Sequence, residues 1–534
     1  MHSYLISFVL IALQLFCVSC KKSEPVPQKK ESTQVLKLYL QGEPISLDPR
    51  IGGTRSCQVF LRQLFEGLTR IGIDGRPVLA AAKNVDISKD GCSYTFSIRK
   101  SFWSNGEPVT AHDFEYAWKS VLTPNFPSSY SYAFSLIKGA RRAKLGEISL
   151  DEVAIRAIDS NTLVVELEHP APYFLELVAN PLYSPVCKKT AIAHPSWSKN
   201  GGSTFVSNGP FVLSHWTHHT DMTLRKNFFY RDAAAVKMDA IQVALIDDPQ
   251  TALHLFEKNE IDIYGEPFGT MPSEAVHTCL QQGTLKTKQV GGLYWFEVNT
   301  THPLLASAKI RRALAMGVNR KELTDHLLQG GEKPAFSILP ESLTLIPTPL
   351  FNDHDIAAAQ LLFEEGLQEL AVTKDSIPSL VITHWSDPRE KAIACAVQQQ
   401  WKQAFGIHVE LVSCDWSSFF KKINTSDYQI AGCSWYTWYQ DPIYNMEFMK
   451  YKSSGLNGTG WEHPRYIAQL DLADHATNSS DRQDALRNAE ELIVQEMPII
   501  PLFSQTYKYL KNERLQGFFL TPVGQLELKG AYFE

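Results

Sequence analysis

Residues 94–118 read YTFSIRKSFWSNGEPVTAHDFEYAW. Tyr94, Phe96 and Ile98 alternate with polar Thr95, Ser97 and Arg99, the period of a strand with one buried face. Ser104, Asn105 and Gly106 form a turn cluster, with Gly106 free to take a positive φ. Thr110 then stands as an N-cap with Asp113 three residues on, a variant of the capping box. Phe114, Ala117, Trp118, Val121 and Leu122 follow at i, i+3, i+4, i+7 and i+8, which predicts an amphipathic helix. The stretch is therefore a strand, a turn and a capped helix in close succession.

Working outward, Leu36, Leu38 and Leu40 alternate as an edge-type strand, and a helical stretch runs into Leu64-Phe65-Glu66-Gly67-Leu68. Asp74-Gly75 is a hairpin signal. Residues 151–170 give two alternating strands about Asp159-Ser160-Asn161, and 211–226 a hairpin, with His215, His218 and His219 clustered about its tip and read as a solvated turn. Asn259 suits a left-handed corner. Lys309–Arg320 is a helix ending at Gly317, with Asn319 capping the next. From Ser379 to Ser413 strands and a long helix, Arg389–Phe405, alternate, an α/β pattern. No internal repeat is present.

The start of the chain reads as a targeting segment. Tyr4–Phe16 is an apolar run of 13 residues, shorter than the roughly 20 needed to span a bilayer and right for a signal-peptide core. Cys17-Val18-Ser19-Cys20 follows, then polar KKSEPVPQKKESTQ, too charged to bury a core. Those 14 residues would act as a tether with an r.m.s. span of roughly 20 Å. The remaining 500 or so residues exceed one hydrophobic core, so two or more lobes are expected. The net charge is −6, and residues 1–19 carry no Asp, Glu, Lys or Arg. No basic stripe marks a nucleic-acid partner. The nine cysteines contain no C-x-x-C pair to support zinc, and the seven beyond Cys20 leave disulfide pairing open. No G-x-S-x-G, H-E-x-x-H or phosphate-cradling G-x-x-x-x-G-K-[ST] motif is present, so neither an enzyme nor a cofactor has a signature here.

Several of these pieces resemble one family. Trp103-Ser104-Asn105-Gly106-Glu107-Pro108-Val109-Thr110-Ala111-His112-Asp113-Phe114, Ser46-Leu47-Asp48-Pro49, Leu64-Phe65-Glu66-Gly67-Leu68, Asn208-Gly209-Pro210-Phe211 and Met497-Pro498-Ile499-Ile500-Pro501-Leu502 occur in the order seen in bacterial extracellular solute-binding proteins of the peptide and nickel class, nearest to their periplasmic oligopeptide-binding branch. The resemblance implies a two-lobed α/β periplasmic-binding-protein fold with an extra small subdomain and a cleft between lobes. On that pattern residues 1–19 are a lipoprotein signal peptide and 20–34 a polar tether. Lobe I is 35–65 with 190–291 and 504–534, small subdomain II is 66–189, and lobe III is 292–503, with hinge crossings near 292 and 503. Cys20 matches a lipobox cysteine and would carry the lipid, although Cys17 stands where the family has Leu. The implied partners are a peptide ligand, the inner-membrane permease of an ABC importer and the membrane itself, for a monomer in the cell envelope.

The resemblance also implies ligand residues. Tyr428–Pro442, YQIAGCSWYTWYQDP, aligns with the family's cleft strand, so Ser434, Trp435, Tyr436 and Trp438 are expected at the ligand; read as one strand, Trp435 and Tyr439 face one way and Tyr436 and Trp438 the other. Tyr130, Trp416 and Arg389 match further cleft positions, and Arg389 would suit a carboxylate. Trp438 stands where peptide-binding members carry an aspartate for the ligand's α-amine, and Gly53 where many carry an acid. The amine anchor is thus missing unless Asp415, Asp427 or Asp441 reaches the site. The same fold with another ligand (a dipeptide, a murein peptide, haem or nickel) stays open.

Overall fold

The computed structural model describes residues 33–534 except 53, 54, 129, 455 and 477. Cys20, the leader before it and Gly53 lie outside the described residues.

The decisive stretch folds as read. Strand Ser93–Ile98 buries Tyr94, Phe96 and Ile98 and sits inside a four-stranded antiparallel sheet, between Ala82–Ile87 and Thr162–Glu166, with Ile155–Asp159 outermost. Gly106 takes φ +84° at the turn. Helix Ala111–Val121 packs its apolar face inward. Asp113 does more than cap it. Its carboxylate accepts from the Thr110 N–H at 2.9 Å and hydroxyl at 3.0 Å, from Trp103 Nε1 at 3.4 Å and from the Lys188 N–H at 3.0 Å. One buried acid so ties the turn, the helix start and a later segment together. Trp118 donates from Nε1 to the Tyr183 carbonyl at 2.8 Å and meets the Tyr183 ring edge-on at 5.2 Å.

A second four-stranded sheet begins with Val35–Leu40. That edge strand pairs in parallel with Ala240–Leu245, followed by Asp221–Lys226 and Phe211–Thr217. The tip of the last hairpin is not merely solvated. His218 Nδ1 lies 2.6 Å and His219 Nδ1 2.9 Å from the carboxylate of Glu43. Burial pushes Glu43 upward, but the His218 bond and both rings outweigh it and its pKa is lowered. Asn259 adopts φ +59° at its corner.

A seven-stranded sheet is the largest among the described residues, with three two-stranded sheets besides. Its order is Ile263–Gly265, Ile499–Lys511, Lys286–Val298, Ile430–Tyr436, Leu380–Trp385 and Val409–Cys414, with short Lys333–Pro334 also on Ile499–Lys511. The last three strands run parallel, the α/β half, with helix Pro388–Phe405 burying Ile393, Val397 and Trp401. The two long central strands pair antiparallel, but their register breaks between Gln289 and Leu293 and again between Tyr294 and Trp295. Gly291 and Gly292 occupy the first break. A Cβ on Gly292 would stand 2.6 Å from the Tyr436 ring, so only glycine permits that approach. Two arginines of the helix read at 309–320 are buried. Arg320, fully enclosed, donates to the Ala335, Pro501 and Ala315 carbonyls and pairs with Asp353 at 3.1 Å.

Among the described residues no cysteine is joined in a disulfide. Among the described residues no cluster of His, Cys, Asp or Glu suits a metal, and no helix is long and apolar enough to cross a membrane.

Candidate functional site

The strand Ile430–Tyr436 ends at Tyr436, earlier than its aromatic run predicts. Strict alternation therefore reaches Trp435 and Tyr436 but not the residues beyond. Trp435 lies against Phe448, ring centroids 4.5 Å apart, and against Trp295 at 6.3 Å, joining the core from one face. Tyr436 turns to the other face, where the Arg55 guanidinium stands 3.8 Å over its ring. Past the strand end, Trp438 meets Tyr130 edge-on at 5.0 Å and stacks on Tyr444 at 5.9 Å. Tyr439 is buried against Tyr173.

Trp438 and Tyr130 line a cavity of about 70 Å³ together with Arg55, Gln58, Arg62 and Tyr507. The walls come from six separate parts of the chain: helix Arg55–Leu64, Tyr130, Asn180, Pro267, Thr437–Trp438, and 507–526. The space holds a few water molecules. Helix Arg55–Leu64 presents Arg55, Gln58, Val59 and Arg62 at i, i+3, i+4 and i+7, which places all four on one face. Arg55 is held between Tyr436 and Tyr507, 5.2 Å from the latter ring, and donates to the Val523 carbonyl at 3.2 Å. Arg62 is 6% exposed. Burial, reinforced by the charge of Arg70 and only partly offset by Glu527, pulls its pKa down to about 10.

Ser434 and Arg389 belong to an adjoining polar cluster. Gln505 donates to Ser434 Oγ at 3.1 Å and accepts from Arg389 Nη2 at 3.4 Å. Arg389 also reaches Glu332 at 3.3 Å, and Lys508 Nζ lies 2.6 Å from the same carboxylate. Burial alone would push Glu332 up, but Lys508 and Arg389 dominate and hold its pKa below the ordinary glutamate range. Arg389 is thus an ion-pair member, not a solvated helix end; its side chain keeps 29% exposure.

Trp416 lies apart from the cavity. It is 60% exposed and packs edge-on to Trp385 at 5.6 Å, at the C-terminal end of the parallel strands. None of the three aspartates offered as replacement anchors is unengaged. Asp415 caps helix Trp416–Asn424 through the Ser418 N–H. Asp427 pairs with Lys422 at 2.6 Å. Asp441 is held by both terminal nitrogens of Arg482 at 2.8 and 2.9 Å. Of the expected residues, Tyr130 and Trp438 line the cavity, Tyr436 shapes it through Arg55, Ser434 and Arg389 form the neighbouring cluster, Trp435 supports the wall from behind, and Trp416 stands off. Sequence reasoning missed Arg55, Arg62, Gln505, Glu332 and Lys508. The helical spacing of Arg55 and Arg62 was the available signal.

Known proteins resemble this chain over most of its length. Residues 76–457 match the model of the bacterial extracellular solute-binding proteins, family 5 Middle. The chain is 37% identical over 513 residues to the oligopeptide-binding protein OppA of Bacillus subtilis (strain 168), covering 95% of this chain and 94% of that one. It is 33% identical over 535 residues to the dipeptide-binding protein DppE of the same organism, covering 98% and 97%. The structure of the Escherichia coli murein tripeptide binding protein MppA superposes with a TM-score of 0.82 at 26% identity, over 94% of this chain and 99% of that one. A family match across most of the chain, with full-length relatives and the same α/β fold, makes this chain a member of the family 5 bacterial extracellular solute-binding proteins, a binding protein of the peptide ABC-importer class and not an enzyme.

Proposed function

We propose that this chain is a lipid-anchored substrate-binding protein that captures oligopeptides in a cleft between two lobes and delivers them to an ABC permease as a monomer. The lobes are 35–65, 190–291 and 504–534 on one side, with subdomain 66–189, and 292–503 on the other. The observation that carries the reading is the cavity whose walls come from all three of these units, with Tyr130 and Trp438 in direct contact across it. Its small volume fits a closed form, so a peptide enters only as the walls part and is then enclosed. Ligand would shift an open–closed equilibrium by its greater affinity for the closed state. Tyr130, Tyr436 and Trp438 are the proposed contacts at the cavity, with Ser434 and Arg389 beside it, Trp435 behind its wall and Trp416 farther off, and Cys20 is the proposed lipidated residue.

Titration of the purified protein with mixed peptides, followed by tryptophan fluorescence and by native mass spectrometry of what co-purifies, tests the binding role. A saturable quench and a co-purifying peptide mass are expected. No response to free, blocked or murein-type peptides would remove the reading. For the anchor, Cys20→Ser is expected to move the protein from the membrane fraction to the soluble one.

A further inference from the structure

The charge of the cavity does not suit an ammonium group. Its lining contains two arginines, Arg55 and Arg62, and no Asp or Glu among the described residues. Neither arginine has an ion-pair partner among those residues. The acid nearest in influence to Arg62, Glu527, is already taken by Arg70 at 2.7 Å. Arg62 is also buried, and its side chain makes no hydrogen bond among the described residues. A guanidinium buried without a counter-ion is unfavourable, and its planar fork matches a carboxylate.

The surroundings do not cancel this charge. Glu266 acts on Tyr436 and Tyr507, but its carboxylate already accepts the Lys508 N–H at 2.8 Å. Glu332 is enclosed and shared between Lys508 and Arg389. The cations Arg55, Arg62, Arg389 and Lys508 thus share Glu266, Glu332, Glu390 and Glu527, of which Glu390 also accepts from the Tyr294 hydroxyl and Glu527 is paired with Arg70. Trp438, on the opposite wall, offers a ring and no acid.

Building on the peptide-binding role proposed above, we infer that the Arg55–Arg62 cavity holds a carboxylate of the ligand, so that this protein selects peptides by a negative end and not by a free amine. The carboxylate has two sources in a peptide: the C-terminus, or an acidic group at the N-terminal end of a molecule whose amine is blocked. Arg62 would supply the buried charge and Arg55, clamped by two tyrosines, the orientation.

Calorimetric titration with one tripeptide, Ala-Ala-Ala, in three forms tests this. The N-acetyl peptide with a free C-terminus is an anion. The free-amine peptide amide is a cation. The N-succinyl peptide amide is an anion with its charge at the other end. At least one anionic form is expected to bind tenfold or more tighter than the cation, and which of the two does so identifies the source of the carboxylate. Arg55→Gln and Arg62→Gln are each expected to reduce that preference to threefold or less, and Arg55→Lys to retain part of it. If Arg62→Gln fails to fold, Arg55→Gln alone decides. A cationic peptide that binds as tightly as both anions, or a preference unchanged in Arg55→Gln, overturns the inference and leaves the peptide role standing. Absence of binding by every form and by mixed peptides overturns both.

Discussion

Tyr173 and Tyr439 stack face to face, with ring centroids 4.8 Å apart and planes 5° from parallel. They lie 266 positions apart in sequence, and the contact is extended by the Gln440 N–H donating to Glu176 at 2.7 Å and by Arg482 over the Tyr173 ring at 5.8 Å. This seam joins the segment of Tyr173 to that of Tyr439 beside the cavity wall, so in the closure proposed above it should hold the closed form shut. An aromatic pair of this kind adds about 0.5–1.5 kcal/mol beyond its buried area. Tyr173→Leu is expected to weaken ligand binding by roughly two- to tenfold through faster release, the equivalent of that energy. A double-mutant cycle with Tyr439→Leu, read by stopped-flow dissociation, checks the coupling; independent effects would mean the seam does not gate release.

Gly292→Ala should act on the site without touching ligand. The added methyl would lie 2.6 Å from Tyr436 Cδ1 and 3.1 Å from Gln505 Cβ. In a close-packed interior the Tyr436 ring must move, and with it the Arg55 guanidinium. The expected result is a peptide affinity lowered about tenfold, or roughly 1.4 kcal/mol, with a smaller change in Tm. Calorimetry and thermal unfolding on the same sample separate the two.

Glu332 gives a signed dependence on pH. Its folded pKa is lowered below the ordinary value of 4.5, because Lys508 and Arg389 outweigh the burial that would raise it. A lowered carboxylate contributes stability that is fully present above about pH 4.5 and is lost as pH falls through the folded value. Glu332→Gln leaves two cations without their carboxylate and should cost about 3–5 kcal/mol near pH 7. The gap between wild type and variant should close as the wild-type carboxylate protonates. Urea unfolding from pH 7 down to pH 3 measures it, and a gap that widens in acid would refute the assignment.

Asp113→Ala tests the motif at the start of the smaller antiparallel sheet's helix. The substitution removes the acceptor of four hydrogen bonds. Loss of the cap alone costs about 0.5–2 kcal/mol, and the stranded buried donors add about 1–3 kcal/mol. Stability should fall by roughly 3 kcal/mol, while the peptide affinity of the folded fraction stays within twofold, since Asp113 lies on the scaffold and not on the cavity.

What could be read from sequence follows from how far each feature reaches along the chain. Strand Ser93–Ile98, its turn and helix Ala111–Val121 are local, set by alternation, a glycine and a cap within a few residues. The expectation of an α/β half held for the same reason, since its strands and helix follow one another directly. The ion cluster was invisible because Glu332 lies 57 positions from Arg389 and 176 from Lys508. Nothing in KIRRALAMGVNR distinguishes Arg311 and Arg320 from solvated arginines; their burial depends on carbonyls of distant segments. The aromatic run at 435–439 was legible as a wall, but its two faces were not, because the strand stops at Tyr436 and parity no longer applies beyond it.

The paired irregularities in Lys286–Val298 and Ile499–Lys511 fall side by side at Gln289–Trp295 and Pro501–Thr506. Two neighbouring strands that are regular on either side and interrupted at the same rung act as a pin. Bending is easy about the one line joining the interruptions and stiff in every other direction, since shear or twist would break the intact ladders. If the lobes close as proposed above, this line is where they would turn, along a single angular coordinate. On that proposal a long guest and a short one would be sealed along the same arc.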